Sequence, residues 1–247
     1  MDESTEINRT GYFSLWRDCI KIVPACDNCY TTSLEVRTSS IYYDANQNSH
    51  RSRQELWRKV HYWNEQAEAE DRRYRVSCGP MMDWCGKDAP LGSVRDLFGL
   101  IRSTPRLDWQ LLTQCVTLID NLPADWGDGY DNVWLGVTVE NMNDGYPRTD
   151  ALRGVPAKVK FISVEPLLEN LDKVSLTLAG IEWVIVESGR GYSPMQKSWL
   201  INLLRECKST NLSVLFKQWS DSCSAANKES CLLNGGENTQ WPVLSHI

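Results

Sequence analysis

Apolar and polar positions along this chain alternate between a helical and an extended period. Residues 52–70 place Leu56, Val60, Trp63 and Ala67 on one face, which predicts a helix. Residues 93–103 repeat the pattern with Val94, Leu97, Phe98 and Ile101, and residues 195–208 with Leu200, Leu203, Leu204 and Cys207. Shorter helices are predicted at 115–122 and 147–153. Between them lie runs rich in β-branched and aromatic residues: "RYRVSCG" (73–79), "LDWQLLT" (107–113), "NVWLGVTVEN" (132–141), "KVKFISVE" (158–165), "IEWVIVE" (181–187) and "LSVLFKQW" (212–219). "YFSLW" (12–16) offers a first strand. About seven strands separated mostly by helices imply βαβ units and a parallel sheet. The strands read as nearly continuous apolar runs, as expected where both faces are covered. A barrel-like (β/α) array and an open doubly wound sheet both fit this α/β pattern.

In either arrangement ligands bind at the carboxyl ends of the strands. The polar residues there are the candidate site. Asp83 follows the second strand, and Thr113 and Gln114 close the third. Thr138, Glu140 and Asn141 end the fourth, Ser163 and Glu165 the fifth, Glu187 and Ser188 the sixth, Lys217 and Gln218 the last. Each has a plainer reading: Asp83 or Asn141 as a helix cap, Glu165 before Pro166 as an acceptor for loop amides. As a set, carboxylates at successive strand ends are hard to explain as surface decoration.

Composition narrows the class. The chain has 247 residues, enough for one large domain with a substantial core. Residues 1–220 are expected to form one unit and 221–247 a loop-rich extension. Eleven tryptophans predict a core built on large aromatics. Net charge is −6, so no global field draws the chain onto a phosphate backbone. Arg51, Arg53, Arg58 and Lys59 form the best local basic run, which a solvated helix face explains. The polar amino terminus is no signal peptide, and no apolar run spans a membrane. A cytoplasmic location follows as an expectation, with thiols kept reduced.

That expectation makes "DCIKIVPACDNCY" (18–30) informative. Cys19, Cys26 and Cys29 fall within eleven residues, just after the first strand. The "CDNC" pair suits zinc, but no second CxxC follows, and His50 and His61 lack the spacing of a zinc knuckle. Three thiolates on one loop suit a four-iron cluster whose fourth iron is open to a small molecule. Radical enzymes use such an iron to chelate S-adenosylmethionine (SAM), which an electron then cleaves to a 5′-deoxyadenosyl radical. Unliganded thiols and a zinc site with a remote ligand remain the alternatives.

The chain resembles the phage three-cysteine-motif proteins, a radical-SAM-like family. The resemblance rests on "CIKIVPACDNCY", "GPMMD", "LLTQC", "NVWLGVTVEN", "VKFISVEPLL", "IEWVIVESG", "LFKQW" and "LLNGGENTQWP", nearly end to end. It implies a 4Fe-4S cluster on Cys19, Cys26 and Cys29, and a partial (β/α) barrel of radical-SAM type with six to seven mostly parallel strands. By similarity to radical SAM enzymes, Tyr30 lies near the adenine and Asp83 meets the methionine amino group. Thr138, Glu140 and Asn141 then lie near the ribose or carboxylate, with Glu165 close by. Glu187, Lys217 and Gln218 are candidate substrate contacts. The chain departs from the family where it reads "VESGRG" for "GGESG", "LTQC" for "LTKR" and "PMMDWC" for "SMSDLF", which puts the substrate in question.

The resulting expectation is a phage or prophage radical SAM enzyme acting on a nucleotide or DNA base in the host cytoplasm. It would use an external electron donor and pair with a protein encoded nearby. Alternatives are a cluster-bearing nucleic-acid repair or lyase enzyme and a non-catalytic, zinc-stabilised interaction module.

Overall fold

The computed structural model describes residues 10–16, 54–78, 82–86, 89–171, 178–188, 195–217 and 240–242. Seven strands run in one sheet, in the sequential order β1 to β7. A doubly wound sheet reverses its order at a switch point. The unreversed order is that of a singly wound (β/α) array, so the structure has the α/β partial-barrel class expected. The chain gathers into two compact units. The described residues of Met1–Ile20, Thr31–Leu135 and Pro156–Lys158 form the first, and those of Gly136–Val155 and Val159–Ile247 the second.

In the first unit, β1 (Thr10–Phe13), β2 (Tyr74–Cys78) and β3 (Leu107–Thr113) pair in parallel. Their register aligns Phe13, Cys78 and Leu111 in one row and Tyr12, Ser77 and Gln110 in the next. The Phe13 face carries the core. Phe13 meets Trp57 of α1 (Gln54–Ala69) edge-on at 6.1 Å and Trp109 of β3 at 5.5 Å. Close helix packing explains Gly11: a Cβ there would stand 2.5 Å from the Trp63 ring. On α1 the predicted stripe holds, with Val60 and Ala67 buried and Arg58 and Lys59 exposed on the other side. In α2 (Ser93–Ser103) Phe98 packs edge-on against Trp84 at 5.9 Å and Trp126 at 5.8 Å. Asp108, buried in β3, is held by Arg73 at 2.8 Å. Burial raises its carboxyl pKa, and the Arg73 cation opposes that shift.

The second unit repeats the parallel ladder with β5 (Val159–Val164), β6 (Trp183–Val186) and β7 (Ser213–Phe216). All four residues of β6 are buried, as its apolar run predicted. Trp183 is its centrepiece, 5.5 Å from Phe161 and 4.9 Å from Trp241, with its indole N–H donating to Gln240 O at 2.9 Å. Gln240 N in turn donates to Val214 O at 2.9 Å, so residues 240–242 of the expected tail run beside β7. The helices are α3 (Met142–Arg153) and α4 (Lys197–Ser209), whose Leu200, Leu203 and Cys207 are buried.

β4 (Val133–Thr138) is divided between the units, Val133–Leu135 belonging to the first and Gly136–Thr138 to the second. Boundaries follow the sequence pattern closely with three exceptions. The first strand, expected at 12–16, is Thr10–Phe13. Residues 115–122 yield only a 3-10 turn, Leu118–Asn121. And α3 starts at Met142 rather than near 147, because Asn141 caps it and Pro147 sits inside it. Pro147 reads as a helix start, although Asn141 was already a candidate cap. Among the described residues, no helix is long and apolar enough to cross a membrane.

Candidate functional site

At the carboxyl ends of β2 and β3, Asp83 joins two loops. It is buried, and its Oδ1 accepts from the Thr113 hydroxyl at 2.5 Å and from Cys85 N at 3.1 Å. Its Oδ2 accepts from Gln114 N at 2.9 Å. A carboxylate answered by several neutral dipoles is strongly bound in place. Asp83 therefore clamps the loop after β2 to the end of β3, thirty residues on.

The second unit finishes its strands with charge pairs. After β4, Glu140 is met by Arg148 of α3: Nη1 donates to Glu140 Oε2 at 2.7 Å, to Thr138 Oγ1 at 2.9 Å and to Thr138 O at 3.2 Å. Both side chains are almost wholly buried, at 4% and 2% exposure, so neither charge has water as an alternative partner. The helix turns back onto the strand because Asn141 Oδ1 accepts from Asp144 N at 3.0 Å, an N-cap. Gly145 allows the close approach, since a Cβ there would reach 2.4 Å from Val139.

A second charge cluster closes β5, β6 and β7. Lys217 Nζ donates to Glu165 Oε2 at 2.7 Å and lies 3.8 Å from Glu187 Oε2. The backbone ladder sets this meeting: Glu187 N donates to Val164 O and Lys217 N to Val186 O. The lysine side chain is 42% exposed and each carboxylate 21%, so this cluster, unlike the Glu140 pair, is open to a ligand. Beside it Ser163 is buried, its hydroxyl without a hydrogen-bond partner among the described residues.

A family model described as "Protein of unknown function (DUF5131)" matches residues 4–241. The chain belongs to the DUF5131 family. No curated protein matches it. Among solved structures it is similar to spore photoproduct lyase in three forms. A double mutant with bound AdoMet and dinucleoside spore photoproduct has TM-score 0.46 and 13% identity, covering 75% of this chain and 58% of the lyase. The complex with dinucleoside spore photoproduct gives 0.43 and 13%, with the same coverage. A single mutant gives 0.42 and 14%, covering 64% of this chain and 51% of the lyase. The chain thus spans between half and three fifths of the length of these structures.

In this DUF5131 protein the predicted residues fall into three groups. Glu165, Glu187 and Lys217 come together, as do Thr138 and Glu140 through Arg148. Asp83 and Asn141 are engaged locally, one as a clamp and one as a cap. Cys19, Cys26, Cys29, Tyr30 and Gln218 lie outside the described residues. Among the described residues, no group of three or more His, Cys, Asp or Glu side chains gathers to hold a metal. The sequence reading missed Arg148. Its signal was available in Asn141 and Asp144, three apart as in an N-terminal cap, which starts the helix early enough to turn Arg148 toward the strand end.

Proposed function

We propose that this protein is a radical SAM enzyme of phage or prophage type. One observation carries the reading. β1 runs parallel to β2 and ends at Phe13, six residues before Cys19. Chain order therefore puts the three thiols in the connection that leaves the carboxyl end of a parallel strand, the end where α/β folds bind ligands. The donor set suits a 4Fe-4S cluster, for which thiolates are the usual ligands. The free cysteines of the described residues offer no rival: Cys78 and Cys207 are buried in apolar surroundings, and Cys85 and Cys115 are only two.

Cys19, Cys26 and Cys29 would hold the cluster, which would supply an electron for the reductive cleavage of SAM. The protein's own groups then have separable tasks. Tyr30, next to the last cysteine in the chain, would face the adenine. Asp83 fixes the polar loop that meets the methionine amino group. Arg148 holds Thr138 and Glu140, and Asn141 holds α3, so that the ribose or carboxylate meets a rigid wall. Glu165, Lys217 and Glu187 contact substrate, with Gln218 beside them in the chain. Two carboxylates around one ammonium make a poor site for a phosphate backbone. They suit the polar edge of a free nucleotide or an exposed base, in keeping with the net charge of −6. Electrons come from an external donor.

Anaerobic reconstitution with iron and sulfide tests the reading. A brown protein with about four irons per chain is expected. Adding dithionite and SAM should release 5′-deoxyadenosine. A colourless protein that holds a single zinc would sink the proposal.

A further inference from the structure

Two thiols of the first unit stand at neighbouring strand ends and take no part in the site described above. Cys85 follows β2 and is 3% exposed; Cys115 follows β3 and is half-buried. Both are free. One bridge fixes their backbones. Cys85 N donates to Asp83 Oδ1 at 3.1 Å, the Thr113 hydroxyl donates to the same oxygen at 2.5 Å, and Cys115 N donates to Thr113 Oγ1 at 3.0 Å. The side chains act on each other as well: burial, and after it the Cys115 thiol, raise the Cys85 thiol pKa. Each sulfur also has its own polar neighbour: Asn121 Nδ2 donates to Cys85 Sγ at 3.2 Å, and Thr117 Oγ1 lies 3.3 Å from Cys115 Sγ. A cysteine that merely fills a core needs no such partners.

We propose that Cys85 and Cys115 form a redox-active dithiol site that reacts with a peroxide and closes to a disulfide. Cys115 is the more accessible and reacts first. Its thiolate sulfur attacks one peroxide oxygen, the O–O bond breaks, and a sulfenic acid forms while the other oxygen leaves as water with the thiol proton. The Cys85 sulfur then attacks the sulfenic sulfur. The S–S bond forms, the S–O bond breaks, and a second water leaves with the Cys85 proton. Two thiols and one hydrogen peroxide thus give one disulfide and two waters, with two electrons passing to the peroxide. Burial pushes the Cys85 thiol well up, so it waits protonated until Cys115 has been oxidised. Closure would pin the Asp83 loop covalently to the end of β3. The site is distinct from Cys19, Cys26 and Cys29 and does not rest on the radical SAM reading.

Peptide mapping of the full chain tests this. The reduced protein is treated with one equivalent of hydrogen peroxide, alkylated with iodoacetamide, digested with trypsin and fragmented in the mass spectrometer. Fragmentation is needed because Cys78 and Cys85 share the peptide 76–87. The expected product joins Cys85 to Cys115, two hydrogens lighter than the separate peptides, and dithiothreitol restores both alkylatable thiols. The same link is expected when Cys19, Cys26 and Cys29 are all alanine. In Cys85→Ser, Cys115 should instead be trapped as a dimedone adduct. The proposal is overturned if both thiols remain alkylatable after oxidation. It is equally overturned if Cys115 goes on to a sulfinic acid while Cys85 stays free, or if the link needs the three upstream cysteines.

Discussion

In the first unit a buried carboxylate, Asp83, is answered by a hydroxyl and two backbone amides. In the second, Glu140 is answered by the Arg148 guanidinium, and Glu165 and Glu187 share the Lys217 ammonium. Both arrangements finish the carboxyl ends of parallel strands, yet they do different work. Neutral donors from two loops tie those loops together. A buried cation cancels its partner's charge and makes each of the two depend on the other. The exposed Lys217 cluster does neither, because water competes for both signs. Burial, rather than the presence of charge, separates a framework pair from a ligand-accessible one.

Breaking the buried pair should have the largest effect on stability. Arg148→Met leaves Glu140 charged and unanswered, and should cost about 3–5 kcal/mol in urea unfolding. Adding Glu140→Leu should recover most of that loss. A single-variant cost indistinguishable from zero would contradict the buried pairing described above. Asp83→Asn comes next. The new amide turns a donor toward donors, for a cost of ~2 kcal/mol, and Thr113→Val should cost ~1 kcal/mol. The two together should cost less than their sum, since they break one hydrogen bond. Lys217→Met should move stability by less than ~1 kcal/mol. If the substrate reading holds, it lowers kcat/KM about tenfold, the equivalent of one charge-assisted contact. An equal loss of stability and activity would assign Lys217 to the framework instead.

The smallest effect is on thiol reactivity. Burial pushes the Cys207 thiol of the second unit up to about 12. A thiol whose folded pKa is raised adds stability that is complete below its unfolded pKa and is lost as pH rises through the folded value. Cys207 should therefore leave stability flat across neutral pH and erode it as pH rises from the thiol's ordinary value of 9.0 up to about 12. Native alkylation at neutral pH should label half-buried Cys115 and spare Cys207, read by peptide mass.

Much of the fold was legible. The helix expected at 93–103 and the strand at 107–113 appear with those bounds, because Leu97, Phe98 and Ile101 keep one helical face and the "LDWQLL" run has no helical gap. The helix expected at 147–153 was cut short at its proline, and Arg148, though inside those bounds, gave no sign of its partners Thr138 and Glu140. Of the site, the residues at the strand ends could be named from chain order, but their partners could not. Asp83 was expected at a ligand or a cap, and its tie to Thr113 across two loops could not be read from the chain. Glu165 looked like an acceptor for loop amides and binds Lys217.

The order of elements, the parallel α/β class and the placing of three thiols after the first strand were determined by the sequence alone. Periods of 2 and 3.6 residues are local, so a window of a few turns suffices to read them. Which carboxylate meets which donor was decided only in the tertiary structure. Thirty residues separate Asp83 from Thr113, and fifty-two separate Glu165 from Lys217. Strand register, helix capping and the depth of burial set those meetings, and none of the three is a property of neighbouring residues.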